Sequence, residues 1–248
     1  MINVENVSFI YNGKPVLEDI SFYLSQGTFA GLIGPNGGGK TTLLKLILGL
    51  YKPQKGSLKV FGQESYKLGK ERFRIGYVPQ LNHFNPDYPI SVFDLVLMGL
   101  SGKLGIFSKP SKEDKKYAKE LLAMFNLLDR ADDSVHLLSG GQLQKAHIAR
   151  ALITKPEIML FDEATVGLDA VSQSRFYDFI LEIKKEFKLT IIMVSHDIEI
   201  LNAKTDITLC LNKKLHCHAQ SRRLTESEIL EAYSCELDDF TVFRKGLK

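Results

Sequence analysis

The sequence predicts an α/β fold: a P-loop core on a mostly parallel sheet, an N-terminal antiparallel β-subdomain and an inserted α-helical subdomain. Three observations predict it. The stretch GPNGGGKTT at 34–42 stands between the apolar run TFAGLI and the helix-like LLKLILGL. The runs RIGYVP, PEIMLFDEA and LTIIMVSHD are short and apolar and each ends in polar residues, which is how buried parallel strands read when their carboxyl ends carry a site. Residues 91–152 change character, with apolar side chains recurring at helical spacing.

The elements follow in chain order. INVENVSFIY and PVLEDISFYL alternate apolar and polar about a turn at Asn12-Gly13, so they predict an antiparallel pair. GSLKVFG at 56–62 adds another strand. In the helical insertion, Ser91 can cap one helix. Ser111 and Asp114 stand at cap spacing before a second, whose apolar stripe is Ala118, Leu121, Leu122, Phe125 and Leu128. Met124 and Phe125 are expected to pack rather than touch a ligand. Residues 169–187 place Phe176, Phe179, Ile180 and Ile183 on one helical face between two apolar strands. ITLCLNKKLHCHA reads as a hairpin. TESEILEAY reads as a helix with Thr225 and Glu228 as its capping box.

Composition bounds the class. The chain has 248 residues, 44% hydrophobic and 25% charged, an ordinary globular make-up, and its net charge of +3 is too small to mark a nucleic-acid footprint. Cys210, Cys217 and Cys235 form no C-x-x-C pair and are odd in number, which fits free thiols in a reducing compartment such as the cytosol better than a disulfide framework. No signal-peptide pattern opens the sequence, and no apolar run approaches the ~20 residues of a spanning helix. Any membrane span is therefore expected from another chain.

The spacing G-x-x-x-x-G-K-T fixes Gly34, Gly39, Lys40 and Thr41. Glycines permit backbone conformations in which successive N–H groups point inward around a phosphate chain, so 34–42 (Gly34, Pro35, Asn36, Gly37, Gly38, Gly39, Lys40, Thr41, Thr42) is a candidate polyphosphate cradle. Lys40 would reach the β- and γ-phosphates, the helix N-terminus adds its dipole, and the Thr41 hydroxyl can ligate Mg2+. Such a cradle alone suits kinases, GTPases and many motors. IMLFDEA narrows the choice: four apolar residues bury a strand ending in Asp162, a candidate Mg2+ ligand, and Glu163 follows as a candidate base for an attacking water. LSGGQLQKAHIARAL then offers a second anion-binding helix start, with Ser139 as cap and Gly140 and Gly141 leaving N–H groups uncovered.

Taken together, GPNGGGKTT, LSGGQ and LFDEATVGLD make the chain resemble the ATP-binding subunits of ABC transporters, from the first strand to about residue 218. The resemblance implies an ATPase domain over residues 1–218, with a core of 1–85 and 153–218, a helical subdomain of 86–152 and a C-terminal extension of 219–248. It implies ATP and Mg2+ as ligands and a head-to-tail homodimer, in which Ser139, Gly140, Gly141 and Gln142 contact the nucleotide held by the partner copy. By the same resemblance Tyr11 stacks on adenine, Gln80 senses Mg2+ and the attacking water, Asp169 crosses to the partner and His196 contacts the γ-phosphate. Lys40, Gln80, Glu163 and His196 are thus the candidate catalytic residues; Thr41, Gln80 and Asp162 are the candidate Mg2+ ligands. Two departures from the family pattern are Ala164, in place of a common proline, and Val166-Gly167, in place of the usual small pair before Leu168.

LNHFNPDYPISVFDLVLMGL after Gln80 and AKTDITLCLNKKLHCHA near the end look like the ATPases of bacterial zinc and manganese uptake systems. Siderophore and haem importers share much of the pattern, and soluble non-transport ABC proteins share the core motifs. The uptake resemblance implies integral membrane permease subunits, an extracytoplasmic metal-binding protein as an indirect partner, no nucleic acid, and a peripheral position on the cytoplasmic face of the inner or plasma membrane. His216, Cys217 and His218 are zinc-ligand types, but strand alternation puts the histidines on one face and the cysteine on the other, so they do not converge on one ion.

Overall fold

The structure is a computed structural model that describes residues 1–80, 90–105, 108–164, 170–195, 201 and 203–220. In chain order its strands are β1 (Ile2–Tyr11), β2 (Lys14–Leu24), β3 (Phe29–Ile33), β4 (Lys55–Val60), β5 (Gln63–Glu64), β6 (Ile75–Val78), β7 (Ile158–Asp162), β8 (Thr190–Val194), β9 (Ile207–Asn212) and β10 (Lys214–Gln220). The α-helices are α1 (Lys40–Ile47), α2 (Val92–Leu97), α3 (Ser101–Leu104), α4 (Lys112–Met124), α5 (Gly140–Leu152) and α6 (Ala170–Phe187). By internal contacts the chain forms two compact units, one of Met1–Leu68 with the described residues from Ile192 on, the other of Gly69–Ile191.

In the first unit β2, β1, β4 and β5 make an antiparallel sheet in that order. Asn12 and Gly13 both take positive φ, 47° and 75°, as a two-residue hairpin turn between right-twisted strands requires. The pairing Tyr11↔Lys14 closes that hairpin as the sequence predicts. Strand β3 is buried along its whole length and runs parallel to β9, with Ile33 opposite Cys210. An all-apolar strand of this kind is stable only when covered on both faces. β10 returns antiparallel to β9, so the predicted hairpin is present. Cys210 is disulfide-bonded, contrary to the free thiols expected from the odd cysteine count, and Cys217 is the residue opposite it on β10.

In the second unit β6 and β7 are parallel, in register from Ile75↔Ile158 to Val78↔Phe161. Arg74 ties their starts together. Its Nε donates to Glu157 Oε1 at 2.6 Å, its guanidinium also pairs with Glu71, and the Glu157 N–H donates to the Arg74 carbonyl at 2.8 Å. The helical insertion begins where its caps were read: the Ser91 hydroxyl accepts the Asp94 N–H at 3.0 Å, and Ser111 with Asp114 makes a full capping box. On α4, Ala118, Leu121, Leu122 and Phe125 are buried. Leu128 and Met124, expected on the same stripe, are 42% and 48% exposed. Phe125 is the C-cap and Asn126 turns to φ 57°, so the helical period that would align Leu128 ends before reaching it. The helix read at TESEILEAY lies outside the described residues.

His147 is buried in α5, where burial first and the Arg150 charge second lower its pKa to about 4. A histidine that resists protonation in the fold stabilises the fold above its unfolded pKa of about 6.5 and loses that contribution as pH falls toward 4. Folding stability is expected to drop by on the order of 3 kcal/mol between pH 6.5 and 4 from this group alone. Urea midpoints across that range should fall less steeply for His147→Gln.

Candidate functional site

The phosphate loop lies in the first unit. β3 delivers the chain at Ile33, the loop turns, and α1 begins at Lys40 with Gly39 as its N-cap. Gly34 has φ 151°, and a Cβ there would stand 1.9 Å from the Leu211 carbonyl oxygen. Gly39 has φ 98°, and a Cβ there would meet Leu17 at 2.6 Å and the Val16 carbonyl at 2.8 Å. No side chain fits at either place, so the loop's course against β2 and β9 is possible only for glycine.

The loop is also hydrogen-bonded into place. Lys213 N–H donates to the Gly38 carbonyl at 3.0 Å, and Gly38 N–H to the Pro35 carbonyl at 3.1 Å. Lys40 is buried, and its Nζ donates to the Gly34 and Pro35 carbonyls at 2.8 and 2.9 Å. Its ammonium is thereby held within the loop. Thr41 and Thr42 open α1, an eight-residue helix whose first N–H groups carry its positive end toward the loop. A glycine-lined turn, a buried ammonium and a helix start suit a polyphosphate. Tyr11, at the far end of β1, is 52% exposed and presents its ring beside Tyr51.

The candidate carboxylates lie in the second unit. β7 buries Ile158–Asp162 completely and hands over to Glu163, which leaves the strand at φ 51°. That left-handed turn costs a non-glycine residue roughly 1–2 kcal/mol and changes the direction of the side chain that follows Asp162. The Tyr77 hydroxyl donates to Asp162 Oδ2 at 3.0 Å. Burial chiefly, then the adjacent carboxylate, pushes the Tyr77 phenol well above its ordinary pKa, so it remains a donor. Gln80 Nε2 donates to Glu163 Oε2 at 2.9 Å. Gln80 and Glu163, separated by 83 residues in sequence, are thus brought together as a pair. The oxygens of Asp162 and Gln80 are hard donors of the kind that Mg2+ takes.

Ser139 caps α5 as read: its hydroxyl accepts the Gln142 N–H at 3.4 Å, and Gln142 Oε1 accepts the Ser139 N–H at 2.9 Å. Arg130 Nη1 donates to the same Gln142 oxygen at 3.3 Å. Gly140 and Gly141 have open space where a Cβ would go, so the helix start is accessible. A cavity of about 470 Å³ beside it is lined, among the described residues, by Ser139, Gly141, Gln142, Lys145, Arg175 and Phe179 with others.

Sequence reading missed two residues. Tyr77 holds Asp162, and a phenol on a strand ending in GYVPQ was the available signal. Gln144, buried on α5, donates its amide to the Ala164 carbonyl just past Glu163, and nothing in the sequence pointed to it. Asp169 and His196 lie outside the described residues.

Comparison with known proteins places this geometry in context. A profile of the ABC transporter family matches residues 17–166. The zinc uptake system ATP-binding protein ZurA of Listeria monocytogenes is 38% identical over 216 residues, 87% of this chain and 84% of that protein. The manganese transport system ATP-binding protein MntB of Bacillus subtilis is 39% identical over 211 residues, 85% of this chain and 83% of that protein. Among solved structures, an inward-facing transporter described as of metal-chelate ABC type aligns with a TM-score of 0.81 at 32% identity, covering 93% of this chain and 87% of its own.

The glycine requirement is directly testable. Gly34→Ala sets a Cβ against backbone that cannot swing aside, and a triphosphate titrated by calorimetry is expected to show no binding at concentrations that saturate the unaltered protein. Retained affinity would mean that the loop does not hold phosphate.

Proposed function

The chain belongs to the ABC transporter family, and from that premise we propose that it binds and hydrolyses ATP to power uptake of zinc or manganese ions through a separate membrane permease. The observation that carries the hydrolytic part is the Gln80–Glu163 pair beside buried Asp162. The cargo rests on the zinc and manganese relatives, each similar over more than four-fifths of this chain. A solved relative described as of metal-chelate type supports a second reading, uptake of a metal chelate, for which a siderophore or haem is our candidate.

In the proposed reaction a water attacks the γ-phosphorus of ATP, the bond to the β-phosphate oxygen breaks, and Glu163 takes the water's proton. Gln80 holds one Glu163 oxygen and so fixes the plane in which that carboxylate accepts the proton. Lys40, the loop N–H groups of 34–42 and His196 bind and orient the phosphates, and Tyr11 takes the base. Thr41, Asp162 and Gln80 are the residues that would hold Mg2+, which when bound neutralises charge on the β- and γ-phosphates.

The uncovered N–H groups at Gly140 and Gly141 are a second anion-binding surface that a single nucleotide on the loop does not need. We assign Ser139, Gly140, Gly141 and Gln142 to the nucleotide of a second copy, with Asp169 crossing between copies. Among the described residues no helix is long and apolar enough to cross a membrane. The proposed complex therefore adds integral permease subunits, with this chain peripheral on the cytoplasmic side and a metal-binding protein on the other.

Glu163→Gln keeps the hydrogen-bonding shape and removes the base. Steady-state phosphate release is expected to fall by about 10²–10⁴-fold, while ATP binding persists and light scattering reports a dimer with ATP. Unchanged turnover would remove Glu163 from the reaction. In cells lacking this chain, loss of radioactive zinc or manganese accumulation supports the cargo. Loss confined to iron chelates selects the second reading.

A further inference from the structure

The segment that leaves α1 returns to the end of β1, where Tyr11 stands. After Ile47 the chain turns at Gly49, φ 67°, with the Leu50 N–H bonded back to the Lys45 carbonyl at 2.9 Å. The turn delivers Tyr51 against β1. Its ring stacks on Phe9, centroids 5.2 Å apart and planes 17° from parallel, and meets the Tyr11 ring at 6.1 Å with a tilt of 43°. Phe9 is core, whereas Tyr11 is half-exposed. Tyr51 therefore joins a fixed ring to an outlying one.

The backbone under Tyr11 is held by the same segment. Pairing of β1 with β4 reaches Ser8↔Lys55, one residue after Gln54. At Ile10 the side-chain amide of Gln54 supplies a donor and an acceptor: its Oε1 accepts the Ile10 N–H at 2.9 Å, and its Nε2 donates to the Ile10 carbonyl at 3.1 Å. The Gln54 N–H itself donates to the Ser8 carbonyl at 3.1 Å. A side-chain amide thus continues the strand pairing to the residue before Tyr11. An exposed aromatic at a strand end otherwise frays and samples several rotamers, which lowers its value as a stacking surface.

We propose that Tyr51 and Gln54 are positioning residues that hold the Tyr11 ring where a nucleotide base stacks on it, so that the helix beginning at the phosphate loop also sets the base platform. This rests on the reading of Tyr11 as the base-stacking residue. Tyr51 braces the ring and Gln54 braces the backbone.

The test uses the full chain with Mg2+ and two probes, ADP and inorganic pyrophosphate, each titrated by calorimetry. Tyr51→Ala is expected to weaken ADP by about 3- to 10-fold, the worth of one aromatic pair, and to leave pyrophosphate unchanged. Tyr51→Phe is expected to restore ADP affinity. Gln54→Ala, at an exposed position that leaves the core intact, is expected to weaken ADP by about 2- to 3-fold, again without effect on pyrophosphate. Tyr11→Ala is expected to lose at least as much as Tyr51→Ala, and the double substitution no more than Tyr11→Ala alone. Equal weakening of both probes, additive losses, or unchanged ADP affinity in both Tyr51→Ala and Gln54→Ala would overturn the bracing role. Unchanged ADP affinity in Tyr11→Ala would instead overturn the base-stacking reading beneath it.

Discussion

The phosphate loop depends on a backbone approach too close for any side chain. The Leu211 carbonyl occupies the space a Cβ on Gly34 would need, so the strand β9 and the start of the loop can be adjacent only because residue 34 has no side chain. Lys213, at φ 55° in the turn between β9 and β10, then uses its two backbone groups on different elements. Its N–H goes to the Gly38 carbonyl and its carbonyl accepts the Glu18 N–H at 2.7 Å. Loop, hairpin and β2 are one hydrogen-bonded assembly. The direction of α1, and with it the placement of Lys40 and Thr41, follows from that assembly rather than from the loop's own conformational preference.

The carboxylate side is held by different means. Asp162 is the last residue of a fully buried strand, and Glu163 sits on left-handed backbone that a non-glycine residue adopts only when its surroundings enforce it. Those surroundings are visible. Tyr77 holds Asp162 from the neighbouring strand, Gln80 holds the Glu163 carboxylate, and Gln144 holds the carbonyl of Ala164 from α5. The last contact is informative because α5 is also the helix whose open N-terminus carries Ser139, Gly140 and Gly141. The ordinary proline at 164 would keep this carbonyl, so the alanine found here leaves the link intact.

Much of this was legible in the sequence because it is written in local rules. Turn chemistry at Asn12-Gly13, caps at Ser91, Ser111 and Ser139, and the glycine spacing of 34–42 each depend on a few neighbouring residues. What escaped was of two kinds. Leu128 was placed on the α4 stripe because periodicity does not announce where a helix ends, and the positive φ at Asn126 ends it first. Tyr77, Gln144 and the Gln54 amide act across long sequence separations, 85 residues for Tyr77 and Asp162 and 44 for Gln54 and Ile10. No local pattern encodes such partners. The Cys210 disulfide was missed because an odd cysteine count carries no information on which thiols meet in the fold.

The two sets of groups draw their support from different elements of the chain. Phosphate loop, Lys40, Thr41 and Tyr11 belong to one unit, whereas Gln80, Asp162, Glu163 and the open start of α5 belong to the other. The loop is fixed by its backbone contacts with β2 and β9, whereas Gln80 holds the Glu163 carboxylate and Gln144 the carbonyl of Ala164.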